Sequence, residues 1–334
     1  MTQYAPPLPT GRPRRNRRSQ AVRDMVAETH FGVGQFIAPL FIIPGENKRL
    51  EIPSMPGVYQ FSMDEAAKEV AQCQELGLSS FLLFGIPEYK DAEGSAAWQD
   101  DGVIQQALRL LAGQIPDAQL IADLCFCEYT DHGHCGVVTD DDVDNDATLV
   151  NLGRQAVSLA EAGVHTVAPS GMMDGQVGAI RDALDEAGFQ EVAILSYAVK
   201  YASALYGPFR DAADITPSFG DRKTYQMDFR NRAEAMLEAD LDMDEGADML
   251  MVKPAGMYLD IISDLKREYP LPILAYQVSG EYAMIKAAAE KGWLDNENIM
   301  VESVTAIFRA GADAVITYFA REMAEYLQRQ PQTP

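Results

Sequence analysis

Residues 244–254 read DEGADMLMVKP, and this stretch decides the fold. It starts at the acidic end of a helical pattern (residues 230–244), passes through Gly246 and continues as the charge-free run of residues 249–252. Glycine readily adopts the left-handed conformation that ends a helix. A short run without charge is typical of a strand buried on both faces of a sheet. The stretch therefore predicts a helix-to-strand junction of a parallel α/β fold, with Lys253 at the end of the strand.

The same junction recurs along the chain, at Gly77, Gly163 and Gly311. Amphipathic segments alternate with apolar runs short enough to be strands, and there are eight such runs. The runs are residues 36–43, 80–86, 120–125, 165–169, 192–197, 249–252, 273–278 and 314–319. The helical segments are residues 64–76, 103–111, 149–162, 176–187, 230–244, 259–268, 281–290 and 301–309.

Repeated βα units can close into a (β/α)8 TIM barrel or form a long doubly wound sheet. The barrel is favoured because its closure needs the number of strands counted above, and because no Gly-x-Gly-x-x-Gly follows the first strand. Such a barrel typically takes about 250 residues. We therefore expect a catalytic barrel over residues 35–330 and an extended N-terminal arm over residues 1–34. In a barrel, catalytic side chains lie at the carboxyl ends of the strands.

The charge and hydropathy of the chain exclude several classes of protein. Its 334 residues carry a net charge of −23, and so acidic a surface repels phosphate backbones. No apolar run approaches the roughly 18 residues of a membrane span, and polar residues follow the basic residues 12–18. We expect a cytoplasmic protein without a nucleic-acid or membrane partner. The basic arm is either a disordered tail or a segment that packs on an acidic neighbouring subunit.

Three of the four cysteines fall within eleven residues, after the third apolar run. Cys125 and Cys127 are two positions apart, so in extended backbone their side chains share a face, and Cys135 returns after a loop. Thiolates suit Zn²⁺, and three protein ligands leave a fourth position open, as in catalytic zinc sites. Two alternatives stay open: a structural Cys₃His site that uses His132 or His134, and a group of buried free thiols.

Two lysines stand at predicted strand ends, Lys253 and Lys200. Burial in an apolar wall disfavours the ammonium form, and a second cation nearby acts in the same direction, so the pKa falls below its ordinary value of about 10.4. Such a lysine can attack a carbonyl and form a Schiff base near neutral pH. Each lysine alone could instead be a snorkelling side chain, but the pair on adjacent strands favours imine chemistry.

The connection after Lys200 is polar, punctuated by glycine and proline, and longer than usual for this fold. These features are typical of a lid. Arg210 and Arg222 lie in it, and each can hold a carboxylate through paired hydrogen bonds. Surface solubilisation is the alternative interpretation of both arginines.

The motifs together match a known family. The chain resembles the porphobilinogen synthases (5-aminolaevulinate dehydratases) over nearly its whole length. The matching segments are SMPGVY (54–59), CFCEYT (125–130), HGHCG (132–136), GPFR (207–210), GDRK (220–223), YQ (225–226), MVKPAG (251–256) and QVSGEY (277–282). The resemblance implies a (β/α)8 barrel that condenses two molecules of 5-aminolaevulinate to porphobilinogen, with loss of two waters, in tetrapyrrole biosynthesis.

The resemblance also implies a role for individual residues. Lys253 forms the imine with the substrate that binds first, on the P side of the site, and Lys200 with the second, on the A side. Zn²⁺ on the three clustered cysteines binds the A-side amino group, and Asp123 relays protons. An allosteric Mg²⁺ binds near Glu238, and the protein assembles as a homo-octamer whose arms embrace neighbours. The carboxylate-binding residues are Ser279 and Tyr318 on the P side, and Arg210, Arg222 and Gln226 on the A side.

Gly171 and Gln176 depart from the Asp and Arg that the family commonly carries around its Met-Met-Asp-Gly segment. Two rival hypotheses remain. Another Schiff-base barrel enzyme, of the class I aldolase kind, would need one reactive lysine and no thiolate zinc. A non-catalytic zinc-binding relict barrel would have lost its catalytic residues.

Overall fold

Eight parallel strands close into a barrel in the computed structural model, which describes residues 11–215 and 218–330. Each strand pairs with the next along the chain, and the last pairs back onto the first through Phe36 with Val315 and Ile37 with Ile316. An open doubly wound sheet would leave these two strands as separate edges, so the predicted (β/α)8 barrel is confirmed. The strands are β1 (Phe36–Ile43), β2 (Ser80–Gly85), β3 (Gln119–Leu124), β4 (Thr166–Pro169), β5 (Ala193–Lys200), β6 (Met249–Lys253), β7 (Ile273–Gln277) and β8 (Ala314–Thr317).

Helices alternate with the strands along the chain, as the amphipathic segments predicted. The helix that follows β8 was not predicted, although Ala320, Met323 and Ala324 mark its buried face at helical spacing. The segment 301–309 belongs instead to the second of two helices between β7 and β8. The helices are α1 (Met63–Glu75), α2 (Val103–Gln114), α3 (Asn145–Glu161), α4 (Gln176–Glu186), α5 (Ala233–Asp244), α6 (Leu259–Glu268), α7 (Ser279–Glu290), α8 (Asn296–Ala310) and α9 (Ala320–Arg329).

The four glycines of the repeated junction all have positive φ: 84° at Gly77, 94° at Gly163, 102° at Gly246 and 120° at Gly311. Side chains with a Cβ rarely adopt this conformation, so each glycine ends a helix and turns the chain toward the next strand. At Gly311 a Cβ would also lie 2.8 Å from the side chain of Lys266. The glycines that predicted the helix-to-strand junctions are therefore required by the backbone conformation at these positions.

The residues before the barrel bear on the predicted arm. The described residues before Gly32 form a unit of their own, which contains the helix Gln20–Met25. That helix begins where the Ser19 hydroxyl accepts a hydrogen bond from the Val22 backbone N–H at 3.3 Å. The predicted arm boundary at residue 34 stays a prediction. Among the described residues, no helix is long and apolar enough to cross a membrane.

Candidate active site

The two lysines end neighbouring strands and face each other in register. Lys200 on β5 pairs with Lys253 on β6, and the two side chains are buried, with 4% and 6% of their surface exposed. The side-chain nitrogen of Lys200 donates a hydrogen bond to the carbonyl of Ser170. Aromatic rings surround the nitrogen of Lys253, with centroids at 4.4 Å (Tyr276), 5.0 Å (Tyr197), 5.3 Å (Phe209) and 5.4 Å (Tyr206).

This environment makes Lys253 an amine that can be neutral near physiological pH. Burial, and after it the neighbouring charge of Lys200, lower the pKa of Lys253 to about 7, while Asp123 acts in the opposite direction. The fraction of free amine rises as pH rises through the pKa, so a large part of Lys253 is nucleophilic at neutral pH.

We expect the reactivity of Lys253 toward a small amine reagent to rise with a midpoint near pH 7. Formaldehyde with cyanoborohydride, followed by peptide mass spectrometry across a pH series, measures it. Exposed Lys68 is the internal control, because its hydrogen bond to Glu65 raises its pKa. A common midpoint for Lys253 and Lys68 would contradict the assignment.

Asp123 lies close to the lysines, on β3. One of its oxygens accepts a hydrogen bond from the Ser170 hydroxyl at 3.1 Å, and the other has no hydrogen-bond partner within the described part of the chain. Burial, and after it the charge of Glu128, raise the pKa of Asp123 to about 7, while the charges of the two lysines act in the opposite direction. A carboxyl group with this pKa can both accept and release a proton near neutrality.

The three clustered cysteines converge on one buried point. Their sulfur atoms all lie within 4.8 Å of one another, and those of Cys125 and Cys127 are 3.5 Å apart. Tetrahedral zinc with bonds of about 2.3 Å would place its sulfur ligands about 3.8 Å apart, so the three thiols fit such an ion. Cys127 also lines the cavity described below, so one side of the cluster faces that space.

Neither nearby histidine turns toward the sulfurs. His132 Nε2 lies 3.1 Å from the carbonyl of Ala92, and its Nδ1 accepts the backbone N–H of His134. The two ring nitrogens of His134 contact Tyr225 and Phe219. Because all four nitrogens have other partners, the geometry argues against the Cys₃His alternative.

A cavity of about 20 Å³ lies between the lysines, the cysteine cluster and the connection after β5. That volume holds roughly one water molecule, so the site is closed. Residues 201–215 and 218–228, called the lid below, cover it and contain a short helix, Gly207–Ala212. The cavity brings together six of the predicted site residues: Lys200, Lys253, Asp123, Cys127, Arg210 and Arg222.

The other predicted carboxylate binders do not line this cavity. The Ser279 hydroxyl accepts the backbone N–H of Phe209 at 3.0 Å, so a lid residue occupies it. The Tyr318 hydroxyl lies 3.0 Å from that of Tyr276, whose ring contacts Lys253. Gln226 lines a separate, acidic cavity, and its side-chain nitrogen has no partner among the described residues.

Comparison with known proteins decides the family. A family model described as delta-aminolevulinic acid dehydratase matches residues 10–326. The chain belongs to this family. Two curated members are similar to it: that of Halalkalibacterium halodurans is 53% identical over 96% of this chain and 97% of the relative, and that of Synechococcus elongatus is 52% identical over 96% and 99%. The resemblance inferred from the motifs is confirmed.

A solved member of the dehydratase family also superimposes closely. The structure of delta-aminolevulinic acid dehydratase (porphobilinogen synthase) from Toxoplasma gondii ME49, in complex with the reaction product porphobilinogen, is 43% identical, with a TM-score of 0.94. The match covers 97% of this chain and 95% of that one. The barrel of this chain thus has the architecture of the family.

Sequence reasoning missed three residues of this dehydratase site. Ser170 follows β4 and touches Lys200 and Asp123, and its position at a barrel strand end was the available signal. Glu128 is buried inside the cysteine motif and accepts a hydrogen bond from the Cys127 thiol at 3.2 Å. Phe209, within the GPFR segment, packs its ring against Lys253.

Glu238 lies apart from the lysines, in an acidic cavity of about 370 Å³ that Asp174 and Glu234 also line. Burial, and after it the charges of Asp174 and Glu234, raise the pKa of Glu238 to about 7. Gln176, one of the two departures from the family pattern, accepts the backbone N–H of Met173 at 3.2 Å at the wall of this cavity.

Proposed function

We propose that this protein is a porphobilinogen synthase, a lyase that condenses two molecules of 5-aminolaevulinate into porphobilinogen and releases two waters in tetrapyrrole biosynthesis. The observation that carries the proposal is the pair of buried lysines, Lys200 and Lys253, that meet in register beside three converging thiols. An aldolase of the Schiff-base kind has no use for the second lysine or for the thiols.

Lys253 forms the first imine, because its lowered pKa supplies free amine near neutral pH. Its nitrogen adds to the ketone of the P-side substrate, the oxygen takes up protons, and one water leaves. Ser279 and Tyr318 hold the carboxylate of that substrate. For Ser279 to do so, its hydroxyl must exchange the backbone N–H of Phe209 for the substrate, which means that the lid helix moves during binding.

Lys200 forms the second imine in the same way, which accounts for the second water lost. Arg210 and Arg222 line the cavity from the lid and, with Gln226, hold the A-side carboxylate. The bond between each lysine nitrogen and the substrate carbon breaks when that carbon forms its new bond in the product. Each lysine is then a free amine again, so the protein is regenerated. Asp123, close to both lysines and with one oxygen unpartnered among the described residues, moves the protons.

Zn²⁺ is the metal proposed for Cys125, Cys127 and Cys135, because thiolates are soft ligands. When bound, it would lower the pKa of the A-side amino group and fix its orientation. Cys127 and Lys200 line the same cavity, which supports an open metal position that faces the A-side substrate.

We also propose an allosteric Mg²⁺ at Glu238. The supporting observation is the surrounding cavity, whose carboxylates are the hard oxygen ligands that Mg²⁺ prefers. Assembly as a homo-octamer, with the arm of residues 1–34 against a neighbour, and a cytoplasmic location complete the proposal.

The direct test is formation of porphobilinogen from 5-aminolaevulinate by the purified protein, before and after treatment with a zinc chelator. We expect product in the first sample, little in the second, and recovery on adding Zn²⁺. A protein that makes no porphobilinogen with zinc loaded is not this enzyme, and full activity after complete removal of zinc would overturn the metal assignment.

A further inference from the structure

His134 joins the cysteine loop to the lid through both nitrogens of its ring. The side chain is 2% exposed. Its Nε2 lies 3.1 Å from the carbonyl of Phe219, and its Nδ1 lies 3.0 Å from the hydroxyl of Tyr225. A carbonyl only accepts, so Nε2 carries a hydrogen and donates, while the tyrosine hydroxyl can either donate to Nδ1 or accept from it. One imidazole ring therefore hydrogen-bonds two separate points of the lid.

Ring packing and backbone contacts strengthen this junction. The ring of His134 lies over that of Phe219, with centroids 4.3 Å apart and planes inclined by 32°. The backbone N–H of Ser218 donates to the carbonyl of His132 at 3.0 Å, and the Arg222 guanidinium donates to that of Gly133 at 2.8 Å. The lid thus rests on three consecutive residues of the loop.

The same loop is tied to the cysteine cluster. Cys135 follows His134 directly, and the Thr130 hydroxyl donates to the carbonyl of His134 at 3.0 Å. Any change in the position of Cys135 therefore moves the residue that the lid rests on. On the lid side, the backbone N–H of Gln226 donates to the carbonyl of Arg222 at 2.9 Å, so Tyr225 lies within the turn that carries both predicted A-side residues.

We propose that His134 is a positioning residue that latches the lid to the metal-binding loop, so that the A-side carboxylate site forms only when that loop is ordered around its metal. His134 contacts neither the cysteine sulfurs nor the lysines, and it acts through Phe219 and Tyr225. The proposal deepens the proposed function and rests on it for the identity of the A-side ligand.

The test compares H134A, H134Q and Y225F, each loaded with zinc, by hydrogen exchange of residues 218–228. Loss of two hydrogen bonds and a ring contact should speed exchange by at least about tenfold in H134A, and loss of one bond by about threefold in Y225F. H134Q should recover part of the protection, because its amide nitrogen can donate to the Phe219 carbonyl. T224V is the matched control: it removes the neighbouring lid bond from Thr224 to Asp142, of 2.9 Å, and should leave residues 218–222 unchanged.

Kinetics and metal content separate a latch from a general structural role. In H134A we expect the KM for 5-aminolaevulinate to rise about tenfold, with kcat changed less and zinc content retained. Removing zinc from the parent should speed lid exchange, and removing it from H134A should add little. H134A and Y225F should show less than additive effects in the double variant.

Three results would overturn the latch: parent-like lid exchange in Y225F and H134A, loss of zinc from H134A with the lid still protected, or equal effects of T224V and Y225F on residues 218–222. If H134A does not fold, Y225F alone still decides. If the parent makes no porphobilinogen, the proposed function fails, yet the exchange data still report whether His134 holds the lid.

Discussion

Replacing Lys253 with methionine will lower kcat/KM for porphobilinogen formation by at least about 10⁴-fold, as expected when a covalent nucleophile is removed. Methionine fills a volume similar to that of lysine among the rings of Tyr197, Tyr206 and Tyr276. It also removes an amine whose burial is unfavourable, so the melting temperature should stay the same or rise. Steady-state kinetics and thermal unfolding of the same preparation measure both effects.

Lys286→Met provides the matched control for this substitution. Lys286 also lies over aromatic rings, those of Tyr282 and Phe319. It forms an ion pair with Glu322 and does not line the cavity beside Lys200 and Lys253. We expect its kcat/KM to stay within about twofold of the parent. Substantial turnover by Lys253→Met would mean that the first imine forms elsewhere.

Replacing Cys127 with alanine will remove the metal and lower activity by at least about 10³-fold, because two thiolates hold zinc far more weakly than three and the A-side amino group loses its ligand. Zinc content by elemental analysis and kcat should fall together. The imine at Lys253 should still form, because the proposed role of Lys253 is to carry the P-side substrate, which does not contact the metal.

Cys73→Ala controls for the loss of a buried thiol. Cys73 lies on α1, and its thiol contacts Glu69 at 3.8 Å, outside the metal cluster. This variant should keep its zinc and its activity, with only a modest loss of stability. If Cys127→Ala keeps parent levels of both zinc and activity, the cysteine cluster is not the metal site.

The barrel could be predicted because its signals are local. Each junction glycine must adopt a positive φ, and each strand is apolar because both of its faces are buried. The register that closes β8 onto β1 is not visible in the sequence, since it depends on contacts between the two ends of the chain. The helix Ala320–Arg329 was not predicted because the apolar pattern continues without a break from β8 into the helix, so the sequence does not show where the helix begins.

Only the site residues that lie at strand ends or within sequence motifs could be predicted. The positions of Lys200 and Lys253 followed from their strands. The part played by Ser170 did not, because it depends on where β4 lies relative to β3 and β5. The lid contact of His134 depends on residues about ninety positions away along the chain, which no local pattern specifies. For the same reason the sequence left His134 open as a metal ligand.

The most direct test of the central claim is to trap the imines and locate them. The zinc-loaded protein is mixed with substoichiometric 5-aminolaevulinate, reduced with borohydride and mapped by peptide mass spectrometry. We expect the first adduct on Lys253, its persistence in a Lys200→Met variant, and an additional adduct on Lys200 when substrate is in excess. Adducts confined to Lys200, or the absence of adducts on both lysines, would contradict the account.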